Sequence, residues 1–558
     1  MHTTSVFFLR RIVRCLLAAP GMLAVIVLCS AADGTAYDVR SFGAVGDGRT
    51  LDTEAINRAI EAAHRAGGGT VVLPAGTYAC YSVRLRSNIT LHLEAGATLL
   101  AAEPPGDGSA GYDPAEPNPA ELYQDFGHSH WHNSLIWGED LENVAVVGQG
   151  RIDGRGLSRG LTHAVRDLRP QEFLAGVTLP EAANAPRPGS ITPGPFGYPS
   201  VKDSLPPRVG NKAIALKNCR RVLLRDLTIF HGGHFAVLAT GTDDLTIDHL
   251  TIDTNRDGID VDACVGVTIS NCTVNSPADD AICLKSSYAL GCARACENVS
   301  IVNCHVSGYR EGTLLDGTRL RWRRGDEIVP GVGRIKFGTE SNGGFRNITI
   351  ANCTFDSCLG LALESVDGGL IEDVTITNLA MRDIGDSPFY VRLGERHRGP
   401  GGEDGHVRRV SINHVVASNV DARFGAIIAG SPGRPIEELR FSDIQIHCKG
   451  GGDPAWVGIE PPENLKEYPE PNRHGPMPVY GFFVRHARGV EFSGIRLTYA
   501  RPDSRPAFAL DDVKEAELRD IRAEHEPGVP VVVHRQVEDF SARDVRDVPD
   551  TAGNPSGG

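Results

Sequence analysis

Beyond residue 32 the chain has no apolar run of the ~20 residues that a membrane-crossing helix requires. It also has no excess of positive charge: 56 Lys and Arg stand against 70 Asp and Glu, a formal charge of −14. That balance argues against a broad electrostatic footprint for nucleic acid or an anionic membrane surface. A polyanionic ligand would have to find its cations locally. Helical-solenoid spacing, with apolar residues at i, i+4 and i+7, is missing as well.

What is present begins with a leader. Arg10, Arg11 and Arg14 precede an apolar run from Leu16 to Leu28, interrupted by Pro20 and Gly21, and Ser30, Ala31 and Ala32 follow. This is the order of a secretory signal, so residues 1–32 are read as a signal peptide. The remainder is expected to be exported, periplasmic or extracellular, and monomeric, with no membrane contact. Cys29 lacks the small preceding residue of a lipoprotein cysteine. Eleven of the 13 cysteines lie past the leader, an odd number for an oxidising compartment, so at least one stays free or pairs between molecules. Cys292 and Cys296 are candidates to close a loop.

The organising signal is a repeat. Apolar residues occupy positions 1, 3, 6 and 8 of an eight-residue block, as in Val222-Leu224-Leu227-Ile229, Leu245-Ile247-Leu250-Ile252 and Val267-Ile269-Cys272-Val274. Further blocks start at Val299, Ile348, Val374, Val410, Leu439, Val490 and Ala516. Positions 1 and 3 alternate as a strand does, and the change of phase before position 6 marks a bend into a second short strand. β-Branched residues with interleaved Asn and Gly fit strands and turns. The expected fold is all-β: one single-domain, right-handed parallel β-helix, a solenoid whose long coils project their excess as loops. Cys272, Cys304 and Cys353 share one block position and are expected to form a buried ladder, within disulfide reach of one another. Without matching His or Asp at that position, no metal is expected there.

Ahead of the repeats, Asp52 to Ala66 has helical spacing with Thr53 as candidate cap, and Gly67-Gly68-Gly69 ends it. Such a helix would cover the open end of a solenoid. The expected divisions are residues 33–125, cap and first coils; 126–548, the β-helix with its groove; and 549–558, a disordered tail. The Pro- and Gly-rich stretches 104–121 and 180–210 are read as loop insertions, together with 309–333 and 453–478.

Chemistry is expected on two consecutive coils, Asn255-Arg256-Asp257-Gly258-Ile259-Asp260 and Asp279-Asp280-Ala281-Ile282-Cys283-Leu284-Lys285. Asp257 and Asp279 are 22 residues apart, one short coil, and are expected to lie nearly above one another. Carboxylates brought together raise at least one pKa, so that one holds a proton while another is ionised. Glycosidic hydrolysis needs that division. A calcium site, or a stack of turn aspartates, would show the same residues.

These segments resemble glycoside hydrolase family 28, the polygalacturonases and their relatives. Asn255 to Gly258 is similar to that family's Asn-Thr-Asp-Gly motif, Asp279-Asp280 to its Asp-Asp pair, and Gly148-Gln149-Gly150-Arg151-Ile152-Asp153-Gly154 to its Gly-x-Gly-x-Ile-Asp-Gly segment. The opening from Phe42 to Tyr78 is similar to the start of many pectin-active β-helix enzymes. The resemblance implies Asp279 as general acid, Asp257 and Asp280 as the residues that position and deprotonate water with inversion, Lys285 as a sugar contact, a carbohydrate substrate, and neither cofactor nor metal. Asn255, Asp260, His234, Arg334, Lys336, Glu340 and Glu364 are the further candidates for substrate binding.

Two departures from the pattern stand out. Val332 occupies the place of the family's Gly-His-Gly histidine, and Ala362-Leu363-Glu364 replaces its Arg-Ile-Lys. Arg334-Ile335-Lys336 spells that motif one coil early. A carboxylate in place of a cationic clamp disfavours a uronate there, so the substrate is expected to differ from plain homogalacturonan. Arg319, Arg321, Trp322, Arg323 and Arg324 are a candidate lid, and Phe389, Tyr390, Val391, Arg392 and Trp456 candidate rim residues. The alternatives are a lyase or epimerase on the same scaffold, which needs a base and a carboxylate neutraliser, and a non-catalytic carbohydrate-binding solenoid.

Overall fold

The computed structural model describes residues 36–124, 127–158 and 208–551. The expected leader and nearly all of the 180–210 insertion lie outside these residues. Ala36 onward forms one compact unit in which each coil lays one strand on each of three faces, A, B and C, in that order.

The block starts named from sequence form a continuous ladder on face A. Val222, Leu245, Val267, Val299, Ile348, Val374, Val410, Leu439, Val490 and Ala516 are successive parallel partners. All are buried, and burying a large aliphatic side chain contributes about 1.5–3 kcal/mol. Position 5 carries the bend: Asn271, Asn303 and Asn352 have φ near +56°, the left-handed region that Asn tolerates better than other side chains. Their amides link coil to coil, Asn303 donating to Asn271 and Asn352 to Asn303, each at 3.3 Å.

Helix α1 (Thr53–Arg65) covers the first coils with Ile56, Ala59, Ile60 and Ala63. Thr53 is not its cap. Asp52 takes that position, yet its carboxylate accepts from Val45 and Gly46 instead of the helix, and Thr53 Oγ1 accepts from Tyr81 N. None of the eleven cysteines beyond residue 32 forms a disulfide, and these include the buried column Cys272, Cys304 and Cys353. Cys292 and Cys296 do not close a loop: Cys296 begins a face A strand with its thiol in the core, while Cys292 is exposed. At the other end, Thr551 pairs with Ala542, so residues 549–551 run against the last coil; 552–558 lie outside the described residues.

Face C carries the chemistry. Its relevant strands are β1 (Phe235–Thr240), β2 (Asp257–Asp262), β3 (Ile282–Ser286), β4 (Ile335–Ser341), β5 (Leu361–Ser365) and β6 (Phe389–Leu393). Strand alternation sends Ile259, Val261, Ile282, Leu284, Ile335 and Phe337 into the core and turns Asp260, Asp262, Lys285, Lys336 and Glu364 the other way. On a bare solenoid that outer face would be wet. Here those charged residues are nevertheless buried, because segments 127–135, 394–405 and 450–478 lie over them.

Candidate active site

Asp257, Asp279 and Asp280 converge at the corner where the chain turns from face B to face C, and one oxygen of each lies within 4.8 Å of the others. The stacking differs by one residue from the expectation. Register pairs Ile259 with Ile282, and Gly258 N donates to Asp280 O, so Asp280, not Asp279, is level with Asp257. An extra residue in the turn before β3 causes the shift and leaves Asp279 at the mouth. Its side chain is 25% exposed, while Asp257 and Asp280 are 3% exposed.

Environment then separates the acids. Burial, with Asp260 and Asp279 nearby, pushes the Asp257 carboxyl well above its ordinary value. Burial acts on Asp280 in the same sense, but Arg334, Lys336 and Lys285 outweigh it and hold that carboxyl below the usual range. Arg334 Nε donates to Asp280 Oδ1 at 2.6 Å, and Lys336 Nζ is 3.7 Å from Oδ2. Asp279 is paired with Arg256 at 2.9 Å, and Arg256 also reaches Nε2 of buried His234 at 2.9 Å. The corner therefore places a carboxyl biased toward its protonated form beside one biased toward its anion.

The other sequence candidates fall into two groups around this corner. Lys285 lies 3.7 Å from Asp260 and 3.2 Å from Glu340, and Arg398 donates to Glu340 at 2.6 Å. Asp260, Glu340 and Asn255 have no exposed surface. Asp260 and Glu340 lie in the floor of the site, and none of the three lines its mouth as expected. On the opposite side, Glu364 is 3.4 Å from Lys336 and fully buried, and burial raises its pKa to about 7 against the pull of Lys336 and Arg334. Arg334-Ile335-Lys336 lies on and just before β4, between β3 and β5.

Several residues at the site gave no sequence signal. His128 reaches Asp260 at 3.3 Å from segment 127–135, where Trp131 packs on Ala215, Phe235 and Leu238. Arg396 donates to Asp367 and to Thr339 O. Glu470 grips Arg334 through both oxygens, at 2.7 and 3.0 Å, and the Tyr468 ring lies over Lys336. The arginine-rich insertion forms a hairpin, Trp322–Arg324 against Glu327–Val329, with Arg321 paired to Asp356 and Trp322 beneath Arg310. Tyr390 and Arg392 are buried beneath the roof, and Trp456 packs on Arg505. An open cavity of about 790 Å³ lies at the far end of the face C strands, where Asp243 is already paired with Arg294.

Fold and site together define a parallel β-helix protein with a carboxylate cluster under a roofed sheet. Two family models match, "Rhamnogalacturonase A/epimerase, pectate lyase-like" over residues 36–103 and "Right handed beta helix region" over residues 207–319. A probable polygalacturonase of Vitis vinifera is 23% identical over 422 residues, 73% of each chain. An exo-poly-alpha-D-galacturonosidase of Dickeya chrysanthemi is 22% identical over 376 residues, 64% of this chain and 56% of that one. A stretch of 42 residues, 8% of this chain, is 67% identical to part of alginate lyase 7 of Azotobacter vinelandii, where it covers 5%. Among solved structures, the family 28 exopolygalacturonase of Yersinia enterocolitica superposes with a TM-score of 0.59 at 20% identity, over 89% of this chain and 80% of that one. The likeness to a polygalacturonase thus extends over 73% of the chain, and the likeness to the family 28 structure is one of fold. Among the described residues no helix is long and apolar enough to cross a membrane.

Proposed function

We propose that the protein is a glycoside hydrolase that cleaves a pectin-like, uronic-acid-containing poly- or oligosaccharide. Asp279 protonates the leaving oxygen, and Asp257 with Asp280 holds and deprotonates the attacking water. The observation that carries this reading is the convergence of three carboxylates within 4.8 Å, with the surroundings of Asp257 favouring its protonated form and those of Asp280 its anion. Asp279 is the member exposed enough to meet a glycosidic oxygen. The proton retained by the cluster is one short transfer away from it. Asp260 and Glu340 position these groups from below.

The spacing bears on stereochemistry. Inverting pairs with water between them usually stand about 6.5–9.5 Å apart, wider than this cluster. Inversion therefore requires the water to sit beside the Asp257–Asp280 pair, not between it and Asp279, and the resemblance to family 28 favours that route. Proton NMR of a cleaved oligogalacturonide is expected to give the inverted anomer first. Replacing Asp279 with Asn is expected to lower kcat by about 10²–10⁴-fold while substrate binding persists; a retained anomer, or an active variant, would remove these roles.

The resemblance to exo-acting galacturonosidases and the roofing of face C on both sides of the acids support attack at chain ends. The leader motif at 1–32 supports export. A metal at the acids is disfavoured by the donor set, since Arg256, Arg334, Lys336 and Lys285 already face it. The local likeness to an alginate lyase favours a second reading, elimination. An unsaturated product, absorbing near the ultraviolet limit, would identify it.

A further inference from the structure

The cations beside the acid cluster are already neutralised by the protein's own carboxylates. Three of the five N–H donors of Arg334 are in use on the protein's own carboxylates: Nε on Asp280, Nη1 and Nη2 on the two oxygens of Glu470. A bidentate guanidinium–carboxylate pair of this kind is the geometry in which arginine grips an acidic ligand. Lys336 sits among Asp280, Glu364 and Glu470, at 3.7, 3.4 and 4.0 Å, beneath the Tyr468 ring. Neither oxygen of Glu364 accepts a hydrogen bond. Two cations thus face three carboxyl groups before any ligand arrives. The next cation along the face, Arg392, directs its guanidinium to the carbonyls of Ala429, Gly430 and Glu463.

Glu470 is not on a loose arm. Pro469 and Pro471 flank it, fixing the backbone on either side. The same strap is held by Glu463 on His486 and Arg485, by His474 on Tyr390, and by Arg505 on the carbonyls of Met477 and Val479. A uronate carboxylate entering at Arg334 would have to displace an anchored carboxylate of the same chemistry, or add a further carboxylate to a desolvated cluster.

We propose that Glu470 and Glu364 are specificity-determining residues, and that the sugar unit seated against Arg334 and Lys336 carries no free carboxylate: it is a neutral sugar or an esterified uronate. This inference rests on the hydrolase reading and names the substrate class for one subsite.

The test uses the full-length protein with trigalacturonate and its fully methyl-esterified form, comparing kcat/KM for the wild type, Glu470→Gln and Glu364→Gln. Calorimetric binding of both ligands to Asp279→Asn, alone and combined with Glu470→Gln, separates recognition from turnover. The wild type is expected to prefer the ester at least tenfold. Each Gln variant is expected to narrow that preference at least tenfold through KM, with far-ultraviolet circular dichroism unchanged. A wild type that handles the free acid as well as the ester overturns the inference while leaving the hydrolase reading intact, and so does free-acid affinity that Glu470→Gln does not raise. If neither ligand is bound or cleaved, the galacturonide reading fails and the inference falls with it.

Discussion

At the residue scale, the site depends on two aspartates one coil apart being driven in opposite directions. Both Asp257 and Asp280 are buried, so desolvation favours their neutral forms alike. What separates them is the neighbour on each side: carboxylates around Asp257, a guanidinium and two ammonium groups around Asp280. The sign of the pH dependence follows. The proposed mechanism requires Asp280 ionised and one proton retained in the cluster, so on that mechanism activity is lost on the acid side as Asp280 protonates and on the alkaline side as that proton leaves. The kcat/KM profile is expected to be a bell whose acid limb lies below 3.8 and whose alkaline limb lies above it. These limbs belong to the coupled set and not to single residues. Replacing Arg334 with Met is expected to move the acid limb upward, because the largest attraction on the Asp280 carboxylate is gone. An acid limb that stays in place would show that Arg334 does not set the Asp280 charge.

At the scale of elements, a coil repeat supplies the floor and three insertions supply the roof. The strap 450–478 is held from beneath by Arg505, which is fully buried with Asp503 and bonded to it at 2.7 and 2.9 Å. The same guanidinium reaches the carbonyls of Ala422, Met477 and Val479. Removing one partner of a buried ion pair typically costs about 3–5 kcal/mol, since the other charge is left uncompensated. Arg505→Ala is therefore expected to lower unfolding free energy in urea by about 3 kcal/mol, and a loss under about 1 kcal/mol would mean the strap does not rely on this anchor. The floor was largely readable in advance: the blocks from Val222 to Ala516 fell into one ladder because strand alternation and coil length are local properties. The exact stacking of the acids was not. One residue added to the turn before β3 moved Asp280 into register with Asp257, an offset of 23 that the apolar pairs Ile259-Val261 and Ile282-Leu284 carry but the 22-residue step of the face A block from Leu245 to Val267 does not.

At the scale of the whole molecule, segment 127–135 closes face C on the side of the earlier coils, and 450–478 with 394–405 closes it on the side of the later ones. A sheet roofed on both sides of its acids suits a chain end better than the middle of a polymer. Digestion of a long polygalacturonide or its ester is expected to release the smallest product from the first time points, with solution viscosity falling slowly relative to reducing ends formed. A rapid early fall in viscosity would show internal cleavage and an open groove.

By itself the sequence determined the solenoid, its helical cap and the coils that carry the acids, because each follows from residue periodicity and from spacing within one or two turns of chain. Only the tertiary structure decided which acids stand level, which charges are buried, and that Glu470, His128 and Arg398 belong to the site. Those contacts join residues 54 to 136 positions apart, across loops whose composition records no preferred partner; Coulomb attraction in a desolvated space selects them once the coils have stacked.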